Sequence, residues 1–225
     1  MSENTNALTI DVVSDVVCPW CFIGKRRLEA ALRLQPETPV VVNWRPFQLD
    51  ATIPPEGMSR AAYMQGKFGS AEKVAEIHAR ISAVGAAEGI AFAFDRITRS
   101  PNTLDAHRLI RWAHGLDKQE AVVEALFRGF FIDGRDLSDR DTLIAIGTEC
   151  GIDAAMLHEF YETEADIDTV QGELATAGQL GIRGVPFFIF GGTHAVSGAE
   201  SPETLVNAME QALSARADGA TQAAV

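Results

Sequence analysis

Cysteine is scarce in this chain, with three in 225 residues. That is too few for a framework of structural disulfides. Positive charge is also in deficit: 19 Lys and Arg stand against 31 Asp and Glu, a net charge of −12. Such a balance argues against nucleic acid or an anionic membrane surface as a partner. No apolar run approaches the roughly 20 residues needed to cross a bilayer. The opening Met1-Ser2-Glu3-Asn4-Thr5-Asn6 has neither a basic segment nor an apolar stretch behind it, so no secretory signal is read there. The expected compartment is therefore the cytoplasm, where a permanent disulfide is unusual and a transient, catalytic one is compatible. No second Cys-x-x-Cys and no His-x-x-x-His pair is present to complete a zinc site, and no internal repeat is visible.

What is present is ordinary in bulk and particular in one place. Hydrophobic residues make up 47% and charged residues 22%, as in a globular protein, and the length suits one large domain or one domain with a substantial insertion. The particular place is Val16-Val17-Cys18-Pro19-Trp20-Cys21-Phe22-Ile23-Gly24. A strand-forming run from Leu8 leads into it and a helix-forming run, Lys25 to Leu32, leads out. Pro19 stands where a first helical turn accepts proline. The spacing of three puts both sulfurs on one side of that turn, close enough to bridge. Cys18 falls at the helix N-terminus, where unpaired N–H groups and the dipole favour thiolate over thiol. Cys18 is thus read as the attacking sulfur and Cys21 as the resolving one.

Along the chain, Leu8 to Asp15 reads as a strand, the cysteine helix runs to Leu34, and Val40 to Phe47 is a second strand, giving a right-handed βαβ unit with parallel strands. Gly24 inside that helix costs stability relative to alanine, which implies a close backbone approach. From about Pro54 to Gly178 the signal turns helical. Ser70 caps one helix, Asn102 with Asp105 resembles a capping box for another, Ser138 with Asp141 starts a third, and Asp153 and Thr163 open two more. A glycine-rich turn, Gly178 to Gly184, precedes a strand from Val185 to Phe190, a Gly191-Gly192 hairpin, and a return strand at His194-Ala195-Val196. Ser201 and Pro202 open the last helix. The resulting division is residues 1–54 and 179–215 as an α/β domain, 55–178 as an all-helical insertion and 216–225 as a flexible tail.

That order of elements resembles the thioredoxin-like fold in its DsbA-like form, and in detail the FrnE-type DsbA-like dithiol oxidoreductases. The resemblance is carried by Ser14-Asp15-Val16-Val17-Cys18-Pro19-Trp20-Cys21, by Pro101-Asn102-Thr103 with His107-Arg108, by Gly181-Ile182-Arg183-Gly184-Val185-Pro186-Phe187-Phe188, and by Val196-Ser197-Gly198-Ala199. It implies thiol–disulfide exchange at Cys18 and Cys21 without metal or organic cofactor, glutathione being admitted as a co-substrate. It further implies a cis bond before Pro186, which would leave the Val185 main chain beside the sulfurs as a strand-like partner for a protein substrate or glutathione. The chain departs from the pattern at one point. Many thioredoxin-like proteins carry a buried acid six residues before the first cysteine; here that residue is Val12, and the nearest acids are Asp11 and Asp15.

Plainer readings stand beside these. Half of a zinc site lacks its other half. Cys150, at a helix end, reads as a buried inert thiol. Trp20 reads as apolar surface in contact with substrate. Lys25, Arg26 and Arg27 read as a solvated helix face, His107 as packing or surface, Asn102 as a cap and Phe127, Phe130 and Phe131 as core of the insertion. Two other functions remain open: a glutathione-dependent isomerase or transferase of the 2-hydroxychromene-2-carboxylate isomerase or kappa-class type, whose nucleophile position is usually serine, and a non-enzymatic redox sensor. Either a monomer or a homodimer is compatible with the sequence.

Overall fold

A computed structural model describes residues 7–222. The signal reading at Met1 to Asn6 and the last three residues of the expected tail lie outside them. The chain opens with β1 (Leu8–Ser14), α1 (Pro19–Leu34) and β2 (Val40–Pro46). A two-residue strand β3 (Met58–Ser59) leads into α2 (Arg60–Phe68) and α3 (Ala71–Ala87), and β4 (Arg99–Ser100) pairs back on β3. Then follow α4 (Leu104–His114), α5 (Gln119–Arg128), a π-helical turn at Gly129–Asp133, α6 (Arg140–Glu149), α7 (Ala154–Glu162) and α8 (Ile167–Gln179). A hairpin of β5 (Phe187–Phe190) and β6 (His194–Ser197) precedes α9 (Pro202–Gln222).

The main sheet has the order β2-β1-β5-β6, with β1 and β2 parallel and the other pairs antiparallel. This is the DsbA-like thioredoxin fold with its helical insertion. β1 is central, and both of its faces are covered toward its C-terminal end. Leu8, Ile10 and Val12 are fully buried in the main core. Val13 instead packs with Ala177 and Ile182 on the opposite face. A strand buried on both faces loses the apolar–polar alternation of a half-exposed one. That strand delivers the two cysteines at its end.

The main core runs without a break from the sheet into the helices of the insertion. Phe127 and Phe131 are not confined to the insertion: Phe22 of α1 stacks on Phe127 at 5.1 Å and lies 6.3 Å from Phe131. The aromatic group therefore joins the insertion to the cysteine helix. Each such ring buries a large apolar area and adds about 0.5–1.5 kcal/mol beyond it.

Several caps stand where the sequence puts them. Ser70 accepts from the Lys73 N–H at 3.4 Å, Asp153 from Met156 at 2.9 Å and Ser201 from Thr204 at 3.3 Å. Others differ. Asp139 rather than Ser138 caps α6, accepting from Thr142 at 3.0 Å, while Ser138 bonds to Asp136. Thr103 occupies the cap position of α4; Asn102 accepts from Leu104 at 3.0 Å, and Asp105 turns to Arg108 and Arg140 instead of closing a capping box. Thr163 ends α7, and α8 starts at Ile167 after Asp166, which takes φ 63°. α2 has no legible apolar stripe because Met64 is its one buried residue. The last helix continues through Gln222, into the segment 216–225 expected to be a flexible tail.

Gly24 is the close approach that the sequence implies. A Cβ there would lie 2.8 Å from Cγ of Pro186 and 3.2 Å from the Phe188 ring. The proline ring cannot rotate away, so α1 would have to shift. Gly24→Ala should destabilise by about 1–3 kcal/mol, the usual cost of overpacking, despite alanine's better helix propensity. Thermal unfolding checks this, and an unchanged or raised Tm contradicts the contact.

Candidate functional site

The site forms where β1 ends. The Asp15 carbonyl accepts from the Cys18 N–H at 3.0 Å, closing the turn that places Cys18 as the N-cap of α1. Cys18 has extended dihedrals, φ −93° and ψ 112°, and its carbonyl accepts the first helical bond from the Cys21 N–H at 3.0 Å. Pro19 takes the first helical position, where its missing N–H costs nothing. All three cysteines are free thiols.

The turn is less open than the sequence suggests. Cys18 is 4% and Cys21 1% exposed, and Trp20 is half-buried against the core. The Cys18 thiol points at the Val185 carbonyl, 3.6 Å away. The Val185–Pro186 peptide bond is cis. Pro186 rests on Gly24, one turn along α1 from the cysteines. Tertiary packing thus brings Cys18, Cys21, Val185 and Pro186 together. Burial pushes the Cys21 thiol well up; the adjoining Cys18 adds to the shift, and the Ser14 hydroxyl and Asp15 backbone oppose it. Cys21 is therefore held as a neutral thiol inside the helix, as a sulfur that waits its turn must be.

The basic run after the cysteines is not the solvated face that its sequence suggests. Lys25 is 3% exposed and pairs with Glu29, with Glu120 at 2.6 Å and with Glu124 at 3.1 Å. Burial works to lower its pKa, but these three carboxylates outweigh burial and the net shift is upward. Arg26 joins the same cluster through Glu124 and Glu29, and Arg27 pairs with Glu88 at 2.6 Å. These cations are committed to clamping α1 against α5 and the end of α3.

Of the two acids near the cysteines, Asp11 lies partly exposed on the sheet, paired with Arg45 at 2.8 Å. Asp15 is 1% exposed. One of its oxygens accepts from the Leu49 N–H at 2.7 Å; the other, Oδ1, has no hydrogen-bond partner and lies 3.6 Å from Nε2 of His107. His107 is buried too, with Nε2 at 2.8 Å from the Phe47 carbonyl. A carbonyl only accepts, so Nε2 carries a proton. Val12, the position where relatives of this fold carry an acid, is a fully buried apolar residue between Trp44 and Phe188. The buried acid is instead three residues before Cys18, a position visible in the sequence whose burial was not. Asn102, one place before the cap of α4, also clamps two loops, donating to the Ile53 carbonyl and accepting from Gln48. Cys150 is half-buried at the end of α6; burial and then Glu149 push its thiol up, with Lys118 opposing. Among the described residues, no group of three or more His, Cys, Asp or Glu is placed to hold a metal ion, and no helix is long and apolar enough to cross a membrane.

The chain is similar to known proteins over most of its length. It is 28% identical over 185 residues to the uncharacterized protein YwbO of Bacillus subtilis (strain 168), covering 82% of this chain and 87% of that one. It superposes on the crystal structure of the probable DsbA oxidoreductase SCO1869 from Streptomyces coelicolor with a TM-score of 0.83 and 33% identity, covering 91% of this chain and 89% of the other. The cytosolic disulfide reductase DsbM from Pseudomonas aeruginosa, solved with GSH, shares the fold at a TM-score of 0.57 and 19% identity, over 96% of this chain and 100% of its own. A cysteine-bearing turn at the head of a helix, packed under a proline on a β-sheet with a helical insertion, and a match over residues 9–210 lead to one conclusion: the chain belongs to the family of DSBA-like thioredoxin domains.

Proposed function

We propose that the protein is a dithiol–disulfide oxidoreductase of the FrnE type whose chemistry runs through Cys18 and Cys21. The observation that carries this reading is the position of Cys18, capping α1 with its thiol against the Val185 carbonyl and in contact with the Cys21 thiol. The Cys18 thiolate attacks a substrate disulfide, one substrate sulfur leaves as thiolate, and a mixed disulfide forms. Cys21 then attacks the Cys18 sulfur, releasing the second substrate sulfur and leaving a Cys18–Cys21 disulfide. The reverse sequence oxidises a dithiol. Val185, Pro186 and Trp20 form the surface that the substrate meets. Asp15, with its unbonded oxygen held near His107, is the group in position to take the Cys21 proton through a water. The two sulfurs carry the electrons, so the exchange needs no metal or organic cofactor; glutathione serves as a co-substrate, in keeping with the bound GSH of DsbM. The setting is the cytoplasm.

The test is reduction of insulin by dithiothreitol or glutathione, which the protein should accelerate and a redox sensor or isomerase should not. The potential of the pair follows from the residues between the sulfurs. Pro19 and Trp20 carry no positive charge, and the Lys25 charge is already matched by three carboxylates, so nothing strongly stabilises the reduced form. The potential should lie between about −270 and −180 mV, the span from thioredoxin to protein disulfide isomerase. Equilibration with glutathione buffers measures it; a value near −120 mV would mark a strong oxidant and contradict the reasoning from Pro19 and Trp20.

A further inference from the structure

Among the described residues, three buried side-chain polar atoms have no hydrogen-bond partner: Asp15 Oδ1, Arg60 Nε and His78 Nε2. Such atoms are rare in native proteins because each costs stability unless something meets it. These three come from separate elements, the turn before Cys18, α2 and α3, yet all three residues line one cleft. Pro19, next to Cys18, forms part of the same wall. The cleft holds about 100 Å³ of free space behind an open mouth, room for one flat ring.

The walls differ in character. Met64, Phe68, Ile77, Ile81 and Phe94 make an apolar wall, and the His78 ring lies flat on Phe94 at 4.2 Å. Arg60 lines it with no carboxylate partner among the described residues, held by the Ser100 hydroxyl at 3.3 Å and by the Phe130 ring at 5.9 Å. That is unusual in a chain of net charge −12, where most of the other buried or half-buried cations near the site are paired. Lys67 lines the cleft as well, its ammonium on the Tyr63 hydroxyl at 2.7 Å. Burial lowers the pKa of both Arg60 and His78, and the Arg60 charge lowers His78 further. An anionic group meeting Arg60 would gain a charge-assisted hydrogen bond at low dielectric, and a flat apolar body would fill the space against Phe94 and His78.

We propose that this cleft binds small organic acids with a flat apolar body, and that disulfides of such acids are substrates of Cys18. This rests on the exchange reading above and names its substrate class. The acid group meets Arg60, the ring lies on the apolar wall, and the sulfur end lies toward Pro19, the residue next to Cys18. One reduced protein then consumes one disulfide: Cys18 attacks a ligand sulfur, the first aryl thiolate leaves, Cys21 attacks Cys18, and the second leaves. Two thiols of the protein are oxidised to a disulfide and one aryl disulfide is reduced to two thiols.

The probes are 5,5′-dithiobis(2-nitrobenzoate), which carries a carboxylate on each ring, and 2,2′-dithiodipyridine, which carries none. Single-turnover reaction of the reduced protein is followed by absorbance of the released thiolate or thione, at high salt so that distant charges are screened. Arg60→Gln should slow the first disulfide about tenfold, the worth of one charge-assisted bond, and the second less than about twofold. Met64→Trp, which fills the cleft without touching its charge, should slow both. Equal slowing of the two probes by Arg60→Gln, or no slowing by either variant, overturns the proposal. A second measurement needs no redox chemistry. Cys18→Ser protein should bind 1-anilinonaphthalene-8-sulfonate at one saturable site, weakened about tenfold by Arg60→Gln and lost in Met64→Trp. Absence of saturable binding, or binding indifferent to both changes, overturns the cleft assignment. Saturable binding by a protein that consumes neither disulfide and does not reduce insulin overturns the exchange reading instead.

Discussion

Cys18→Ser should reduce insulin no faster than dithiothreitol alone, and Cys21→Ser should accumulate mixed disulfides with substrate. The first expectation follows from position. Cys18 is the cysteine at a helix N-terminus, under the Val185 carbonyl, where an incoming sulfur can be aligned. A serine hydroxyl there cannot form the mixed disulfide at all, so the loss is complete rather than partial. Cys150 offers no rescue, since burial and Glu149 raise its pKa and it closes the distant α6. The second expectation follows from the burial of Cys21. It is shielded from substrate and touches Cys18, so its role is to break the bond that Cys18 makes. Without it the intermediate persists until an external thiol cleaves it, and intact-protein mass spectrometry should find the adduct on Cys18. Insulin reduction retained at more than a small fraction in Cys18→Ser would mean that the nucleophile is misassigned.

Arg108→Met should destabilise the fold by about 3–5 kcal/mol, the usual cost of breaking a buried charge network from one side. Arg108 is fully buried, the largest such side chain among the described residues. Its guanidinium donates to the carbonyls of Ala165 at 3.1 Å, Phe160 at 3.0 Å and Thr163 at 2.7 Å, and to Asp105 at 2.7 Å. It lies over the rings of both Trp112 and Tyr161, at 5.0 and 5.4 Å, and the two rings also meet edge to face. The Thr163 and Ala165 carbonyls lie just beyond α7, and the Phe160 carbonyl near its end also accepts from the Thr163 N–H and hydroxyl. Methionine fills much of the volume but removes the guanidinium that donates to the Ala165 and Thr163 carbonyls. In a chain of this size the loss should lower Tm on the order of 10 °C. Arg108→Lys should recover little, because one ammonium cannot span four acceptors in a plane. A Tm within a degree or two of wild type, followed by far-UV circular dichroism, would contradict this account.

Position by position, the cysteine turn and its surroundings were legible where the signal is local. A strand running into Cys-Pro-Trp-Cys, a proline at the first helical position and caps at Ser70, Asp153 and Ser201 need only their neighbours in sequence. So does the requirement for glycine at position 24, although its partner, Pro186, lies far along the chain. Caps misplaced by one residue show where local signals fall short: Asp139 caps α6 while Ser138 turns to Asp136, and α4 starts after Thr103 because Asp105 is drawn to Arg108 and Arg140 instead of closing a box with Asn102.

The sequence alone determined the fold class, the pair of sulfurs and which of them heads the helix, because strand propensity, helix periodicity and capping act over a few residues. Only the tertiary structure decided that Lys25 is buried among carboxylates of α5, that Asp15 is the buried acid and His107 its neighbour, and that Phe22 stacks on Phe127. The tertiary structure alone also showed Arg60 and His78 meeting Asp15 around one cleft. The burial of a charged or aromatic side chain depends on which distant surface folds over it, and no short stretch of sequence carries that information.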